Sequence, residues 1–358
     1  MSFPSTKEER TEKKNIGQNN QTAINDLDEF SSQKTRSKTA IDNTIFNLIL
    51  LEKIYLDLIM KIITQRKIIG KGGQSVIKKY YSTIYKRTVV EKMVNINSNS
   101  KSKAIDDGLD ILKEGIILKE LDHPNIIKIY EFKKYPPIIT MEYCEKGSLR
   151  KFLDERVNLD LIYKIYLIYS ICNGLKYVHS KGIIHGDLKC ANILLSDEKK
   201  FYIGKVSYPI PKIADFGLSQ FEANNLEAGT PGFIAPEIYK GSGLNFKTDI
   251  FALGMVMFEI LSGLKPLDFN LQQTKRFFEE KKIPCIKEIL RVAWKLKLEQ
   301  FLPGIKNEIY NLFYSIMINC IDDNPEERPS IDKIFSTVEK LYKLLLIISN
   351  HLCLNADE

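Results

Sequence analysis

One eleven-residue stretch, His185-Gly186-Asp187-Leu188-Lys189-Cys190-Ala191-Asn192-Ile193-Leu194-Leu195, constrains this chain more than any other. It sets a carboxylate, an ammonium two positions on and an amide five positions on in one short segment, closed by apolar residues that can anchor it in a core. Twenty-three residues after Asn192, the run Ile213-Ala214-Asp215-Phe216-Gly217 carries a second carboxylate on an apolar segment that breaks at a glycine. A site that holds Mg²⁺ and a triphosphate while taking a proton from a hydroxyl needs a base, a cation over the γ-phosphoryl and two oxygen ligands for the metal. Asp187, Lys189, Asn192 and Asp215 supply that set.

The rest of the chain is compatible with a large soluble domain. Its 358 residues, 44% apolar and 27% charged, are enough to bury a sizeable core. The net charge of +7 is modest, and with no basic run or aromatic-studded basic patch no nucleic-acid partner is expected. Six scattered cysteines without a Cys-x-x-Cys pair argue against a zinc site and a disulfide framework. A reducing, cytoplasmic home is the expectation. The N-terminus lacks the apolar core of a signal peptide and the glycine needed for myristoylation.

Residues 1–44 are polar, with seven basic against seven acidic side chains, and are read as a disordered tail because they cannot bury enough apolar surface to offset chain entropy. Residues 45–63, IFNLILLEKIYLDLIMKII, are apolar but contain Glu52, Lys53, Asp57 and Lys61. Each charge would cost about 2.5–3.5 kcal/mol at a bilayer centre, so no transmembrane segment is expected. Leu48, Leu51, Tyr55, Leu58, Ile59 and Ile62 fall at helical spacing, which predicts an amphipathic helix. Such a helix packs on the following domain or serves as a docking element for a partner, a regulator or a membrane surface.

Further motifs follow in order. Ile69-Gly70-Lys71-Gly72-Gly73-Gln74-Ser75-Val76-Ile77 is a glycine-rich hairpin between β-branched runs. Thr88–Val94 alternates as a strand carrying Lys92; Glu114 is expected to open a helical stretch to Leu121; Ile138–Cys144 reads as a buried strand entering a short connector. Residues 159–180 have apolar positions at helical spacing, from Leu161 and Ile165 to Cys172. The stretch from about Ser196 to Pro211 is expected to form an extended hairpin. Gly229–Glu237, Thr248–Met255 and Cys320–Pro329 complete the set.

With these motifs in this order, residues 64–345 resemble the eukaryotic protein kinases: HGDLKCAN resembles their catalytic loop, usually His-Arg-Asp, and Ala214–Gly217 their Asp-Phe-Gly motif. The resemblance implies an α+β, two-lobed protein kinase fold. It has a small β-rich N-lobe with one main helix (64–144) and a larger, mainly α-helical C-lobe (145–345), and 346–358 is left as a C-terminal tail.

The resemblance also assigns roles. Asp187 is the catalytic base, Lys189 neutralises charge on the transferred group, and Lys92, held by Glu114, lies on the ATP phosphates. Asn192 and Asp215 hold Mg²⁺. Ile69, Gly70, Lys71, Gly72, Gly73, Gln74, Ser75 and Ile77 cover the nucleotide. The adenine lies among Val90, Met141, Glu142, Cys144 and Leu194. Thr230 bonds Asp187 and Lys189, a mark of Ser/Thr-directed enzymes acting on protein substrates. Asp249 clamps the catalytic loop, and Arg328 pairs with Glu237. The Cys320 to Pro329 spacing leans to the tyrosine-kinase-like branch.

This sequence departs from the pattern at Gln74, Ser75, Val90 and Gly186. Gly186 stands where many kinases carry an arginine that binds an activation-segment phosphate, and Leu226 stands at the usual phosphate position. Independence from activation-segment phosphorylation is the expectation. A kinase-fold pseudoenzyme acting as a scaffold, or a small-molecule kinase, are the alternatives.

Overall fold

The computed structural model describes residues 49–55, 65–71, 75–95, 101–155, 159–203, 206–221, 229–263 and 305–354. Residues 1–65 and 66–358 are separate units. Within the first, 49–55 are helical with exposed side chains, and the remainder of the expected 45–63 helix and the 1–44 tail lie outside the described residues. No described helix is long and apolar enough to cross a membrane.

The second unit opens with an antiparallel five-stranded sheet: β1 (Lys67–Lys71), β2 (Ser75–Ser82), β3 (Arg87–Val94), β4 (Ile129–Lys134) and β5 (Pro137–Glu142), in the order β1-β2-β3-β5-β4. Register decides which side chains share a face, since directly paired residues point the same way. Ile77 pairs with Lys92, Lys92 with Ile139 and Val90 with Met141, so these five line one face. Glu91 and Thr140, also paired, line the other.

Helix α1 (Lys101–Lys119) packs on β3, β4 and β5. It corrects the sequence expectation that Glu114 opens the helix: Glu114 lies in the fourth turn. The first turns carry Asp106, Asp107, Gly108 and Asp110 between apolar positions, which blurs the amphipathic pattern, yet Ile111, Ile117 and Leu118 are buried by the sheet.

The helical part begins with α2 (Leu149–Glu155) and α3 (Leu161–Ser180). The Asp160 side chain caps α3 by accepting the Ile162 N–H at 2.7 Å. Next come β6 (Ile193–Ile203) and β7 (Val206–Ile213), the extended hairpin expected from the sequence. Pro209 and Pro211 are tolerated in β7 because a two-stranded ribbon leaves an unpaired edge. Aromatic rings fix the ribbon to the helices: Tyr208 stacks on Tyr163 at 4.2 Å and Phe201 on Tyr166 at 3.9 Å, while the Tyr163 hydroxyl donates to the Pro209 carbonyl.

Helix α4 (Phe246–Ser262) is buried from Thr248 onward and is the centre of the core. A capping box between Asn245 and Thr248 starts it, and Gly263 in the left-handed region ends it. A Cβ on its Gly254 would lie 2.6 Å from the Ile321 side chain, so glycine there sets how closely the chain after α5 (Ile305–Cys320) can approach. Arg150 of α2 is tied to Glu259 of α4 and to Asp154. Helix α6 (Ile331–Leu354) packs on α3. It runs through position 346, so most of the stretch set aside as a C-terminal tail continues a helix.

Candidate active site

Two clusters of charged side chains form where the sheet meets the helical part. The first is built on Lys92 of β3. Its ammonium lies 2.6 Å from Glu114 Oε2 of α1 and 2.9 Å from Asp215 Oδ1, just past β7. Burial pulls against the charge on Lys92, but the Glu114 and Asp215 carboxylates outweigh it and hold the ammonium above its ordinary pKa. Burial likewise works against the Asp215 carboxylate, yet Lys92, then His185 and Lys189, bring it below the usual carboxylate value. Asp215 has a left-handed backbone, φ +64°, and half of its side chain stays exposed.

The second cluster is centred on Asp187. Lys189 Nζ donates to Asp187 Oδ2 at 2.6 Å and to Thr230 Oγ1 at 2.5 Å; Thr230 Oγ1 donates to Asp187 Oδ1 at 2.7 Å. Asn192 Nδ2 donates to Asp187 Oδ2 at 3.0 Å and to the Asp187 carbonyl at 2.9 Å. An ionised carboxylate has about four lone-pair sites, so these three side-chain bonds leave one acceptor position.

The backbone around Asp187 is held by a buried carboxylate. Asp249 of α4 accepts the His185 N–H at 2.8 Å and the Gly186 N–H at 2.9 Å, and its Oδ2 lies 2.9 Å from His179 Nε2. Burial would raise the Asp249 carboxyl, but the bonds from His179 and Gly186 and the nearby His185 keep it low. Sequence reasoning missed the parts played by His179 and His185. His185 Nδ1 accepts the Asp187 N–H at 3.2 Å, which puts the ring proton on Nε2, 3.2 Å from the Ala214 carbonyl. The ring also packs edge-on against buried Phe216. A histidine two positions before the carboxylate was the available signal.

Gly186 adopts φ +79°, and a Cβ there would lie 2.9 Å from the Leu218 carbonyl oxygen. The loop's path therefore calls for glycine and leaves no room for the larger residue the family pattern puts there. Ser219, also missed, is buried and donates to the His185 carbonyl at 2.8 Å.

The residues expected around a nucleotide are distributed over the sheet and the connector. Val90, Lys92, Met141 and Ile77 share the sheet face toward the site, with Gly70 opposite Ile77 and half-exposed Ile69 beside it. Lys71 and Ser75 end β1 and open β2; Gly72, Gly73 and Gln74 lie outside the described residues. Leu194 is half-buried in β6 and bridges to Ser148, and Cys144 is buried where the connector leaves β5. The Glu142 side chain turns to Lys212 Nζ at 2.8 Å and accepts the Lys128 N–H at 2.6 Å, and its own N–H donates to the Lys128 carbonyl at 2.9 Å. The resemblance assigns the base to the backbone of this connector, not to the side chain.

Asn192 and Asp215 suit a hard cation. Both offer oxygen, the Asn192 amide nitrogen being occupied by Asp187, and their segments are joined by the Ala214 N–H to Asn192 carbonyl bond of 2.8 Å. No group of three or more His, Cys, Asp or Glu side chains placed to hold a metal ion occurs among the described residues. Two protein ligands, with phosphate oxygens and water completing the shell, is the coordination magnesium favours.

The comparisons agree with this geometry. Residues 63–338 match the family model described as the protein kinase domain. The chain is 28% identical to the serine/threonine/tyrosine-protein kinase HT1 of Arabidopsis thaliana, over 76% of this chain and 65% of that protein. It is 28% identical to the human serine/threonine-protein kinase ULK1, over 76% and 24%, and 29% identical to the serine/threonine-protein kinase Nek8 of Danio rerio, over 75% and 35%. The chain thus spans less than two thirds of the length of these relatives. A sheet carrying the lysine, a buried helix carrying the clamp and a match across most of the sequence lead to one assignment: the chain belongs to the protein kinase family.

Proposed function

We propose that the chain is a serine/threonine protein kinase that transfers the γ-phosphoryl of ATP to hydroxyls of protein substrates, without needing a phosphate on its activation segment. The observation that carries the reading is the closed Asp187, Lys189, Thr230 triangle, which together with the Asn192 bond leaves one carboxylate lone pair for an acceptor hydroxyl. Asp187 takes the proton as the hydroxyl oxygen bonds to the γ-phosphorus; the bond from phosphorus to the β,γ-bridging oxygen breaks and ADP leaves. Lys189 faces the charge that builds on the transferred group, and Lys92, steadied by Glu114, holds the phosphates. Asn192 and Asp215 would hold Mg²⁺, which when bound neutralises charge on the β and γ phosphates.

Thr230 and Lys189 support the Ser/Thr preference, since both bond Asp187 from separate loops. Independence from activation-segment phosphate rests on Gly186, whose left-handed backbone supplies no cation, and on Ser219, whose hydroxyl is buried against the catalytic loop. The scattered cysteines favour the cytoplasm.

The test is label transfer from γ-labelled ATP to a generic basic protein, before and after phosphatase treatment. Wild type should be active in both cases, and Asp187→Asn and Lys92→Met should be inactive. Equal background in all three proteins would favour a scaffold instead, and activity lost to the phosphatase would remove the claim of phosphate independence.

A further inference from the structure

Helix α1 has two apolar faces, and the sheet covers only one of them. Ile111, Ile117 and Leu118 are buried where the helix packs on β3 to β5, and so are the acidic residues Asp107 and Glu114. Ile105, Leu109 and Ile116 stand 65%, 50% and 47% exposed, and Leu112 between them is partly exposed. At 3.6 residues per turn, positions 105, 109, 112 and 116 form one line on the side away from the sheet. Acids inside and aliphatic residues outside reverse the pattern of a helix whose free face meets only water.

The steps of four, three and four are those of a coiled-coil seam, with Ile105 and Leu112 at d and Leu109 and Ile116 at a over two heptads. Asp107 and Glu114 then fall at f, opposite the seam. The flanks decide what can lie on it. One flank has glycine at both g positions, Gly108 and Gly115, which lie close to Pro137 and Phe132 of the sheet. The other has Asp106 and Lys113 at e, both exposed. Where two such helices run antiparallel, a meets d across the seam and e faces e. A two-fold axis passing between Leu109 and Leu112 therefore sets Ile105 on Ile116 of the second copy, Leu109 on Leu112, and Asp106 beside Lys113 twice. Parallel pairing would set the charged e positions against glycines and form neither pair.

We propose that the exposed face of α1 is a self-association surface: a second copy of this chain lays its own α1 antiparallel along Ile105, Leu109, Leu112 and Ile116, and two Asp106–Lys113 pairs fix the direction. The patch is complementary to itself about a two-fold axis, the symmetry of most homodimers. Four apolar side chains per copy make a small contact, below about 1,200 Å² in total. Association is therefore concentration-dependent, with a dissociation constant on the order of 10 μM.

The experiment is sedimentation velocity of the full chain between about 1 μM and about 200 μM. Wild type should pass from monomer to dimer over that range. Asp106→Lys and Lys113→Asp each set like charges together at both pairs and should weaken the dimer about tenfold. An equimolar mixture of those two variants restores opposite charges at both pairs and should associate as wild type does. Leu109→Glu places a carboxylate in the seam and should stay monomeric throughout. All three side chains are exposed, so circular dichroism should show each variant folded. If Leu109→Glu does not fold, the charge variants and their mixture carry the test alone. A wild type that stays monomeric would overturn the proposal and give the face to a helix of another protein. Association that survives Leu109→Glu would belong to another surface and overturn it equally. So would charge variants that dimerise like wild type, or a mixture no stronger than its components.

Discussion

Two ion pairs in this molecule look alike and do different work. Arg328 and Glu237 meet twice, at 2.6 and 2.7 Å, and the arginine side chain has no exposure at all. Its remaining donors reach the Asp322 and Lys247 carbonyls, and Phe251 lies under the guanidinium. Every partner is a fixed part of the fold. Lys92 and Glu114 meet at a similar distance, but the same ammonium also holds Asp215, whose side chain is half exposed. A pair sealed on all sides can only hold segments together; a pair sharing its cation with an accessible carboxylate can exchange that contact for a ligand.

That contrast can be broken most sharply at Lys92. Lys92→Met should lower phosphate transfer about 10³-fold, as loss of a preorganised charge does, and should destabilise by less than Arg328→Ala, since only Glu114 is left buried while the released Asp215 is half exposed. A large drop in midpoint would make the two pairs equivalent. Arg328→Ala should do the reverse, destabilising by about 3–5 kcal/mol because Glu237 is left buried without its partner. Urea unfolding measures that loss, and the fraction still folded should bind ADP normally. A smaller effect belongs to Gly186→Ala, which forces a Cβ into a left-handed residue and against the Leu218 carbonyl at a cost of about 1–3 kcal/mol. The gentlest probe is pH. The folded Asp249 carboxyl sits below its unfolded value, so its contribution is complete above about pH 4 and fades as the pH falls through the folded value. Urea midpoints between pH 6 and pH 3 should fall less steeply for Asp249→Asn than for wild type.

The parts of the site that could be read in the sequence are those where chemistry demands a residue type at a short spacing. Asp187, Lys189 and Asn192 lie within six positions, and the structure brings Thr230 onto them as expected. Lys92 and Glu114 were also expected to meet, but the helix between them was not placed correctly. Its first half buries Asp107 and exposes Ile105 and Leu109, so the sequence there shows no apolar stripe on the sheet side, although the helix packs on β3 to β5. The Glu142 to Lys212 pair was invisible because seventy positions separate two unremarkable strand residues. At Gly186 the sequence shows a missing arginine. What it hides is the backbone turn that makes glycine the fitting residue there.

Asn192 and Asp215 stand at the two feet of the β6–β7 ribbon, with Ile193 paired to Ile213 just above them. An antiparallel ribbon returns to its starting point however far it travels. The twenty-two residues between the two ligands are therefore not a distance the metal has to span, and strand pairs could be added or trimmed at the far end while the ligand spacing stayed the same.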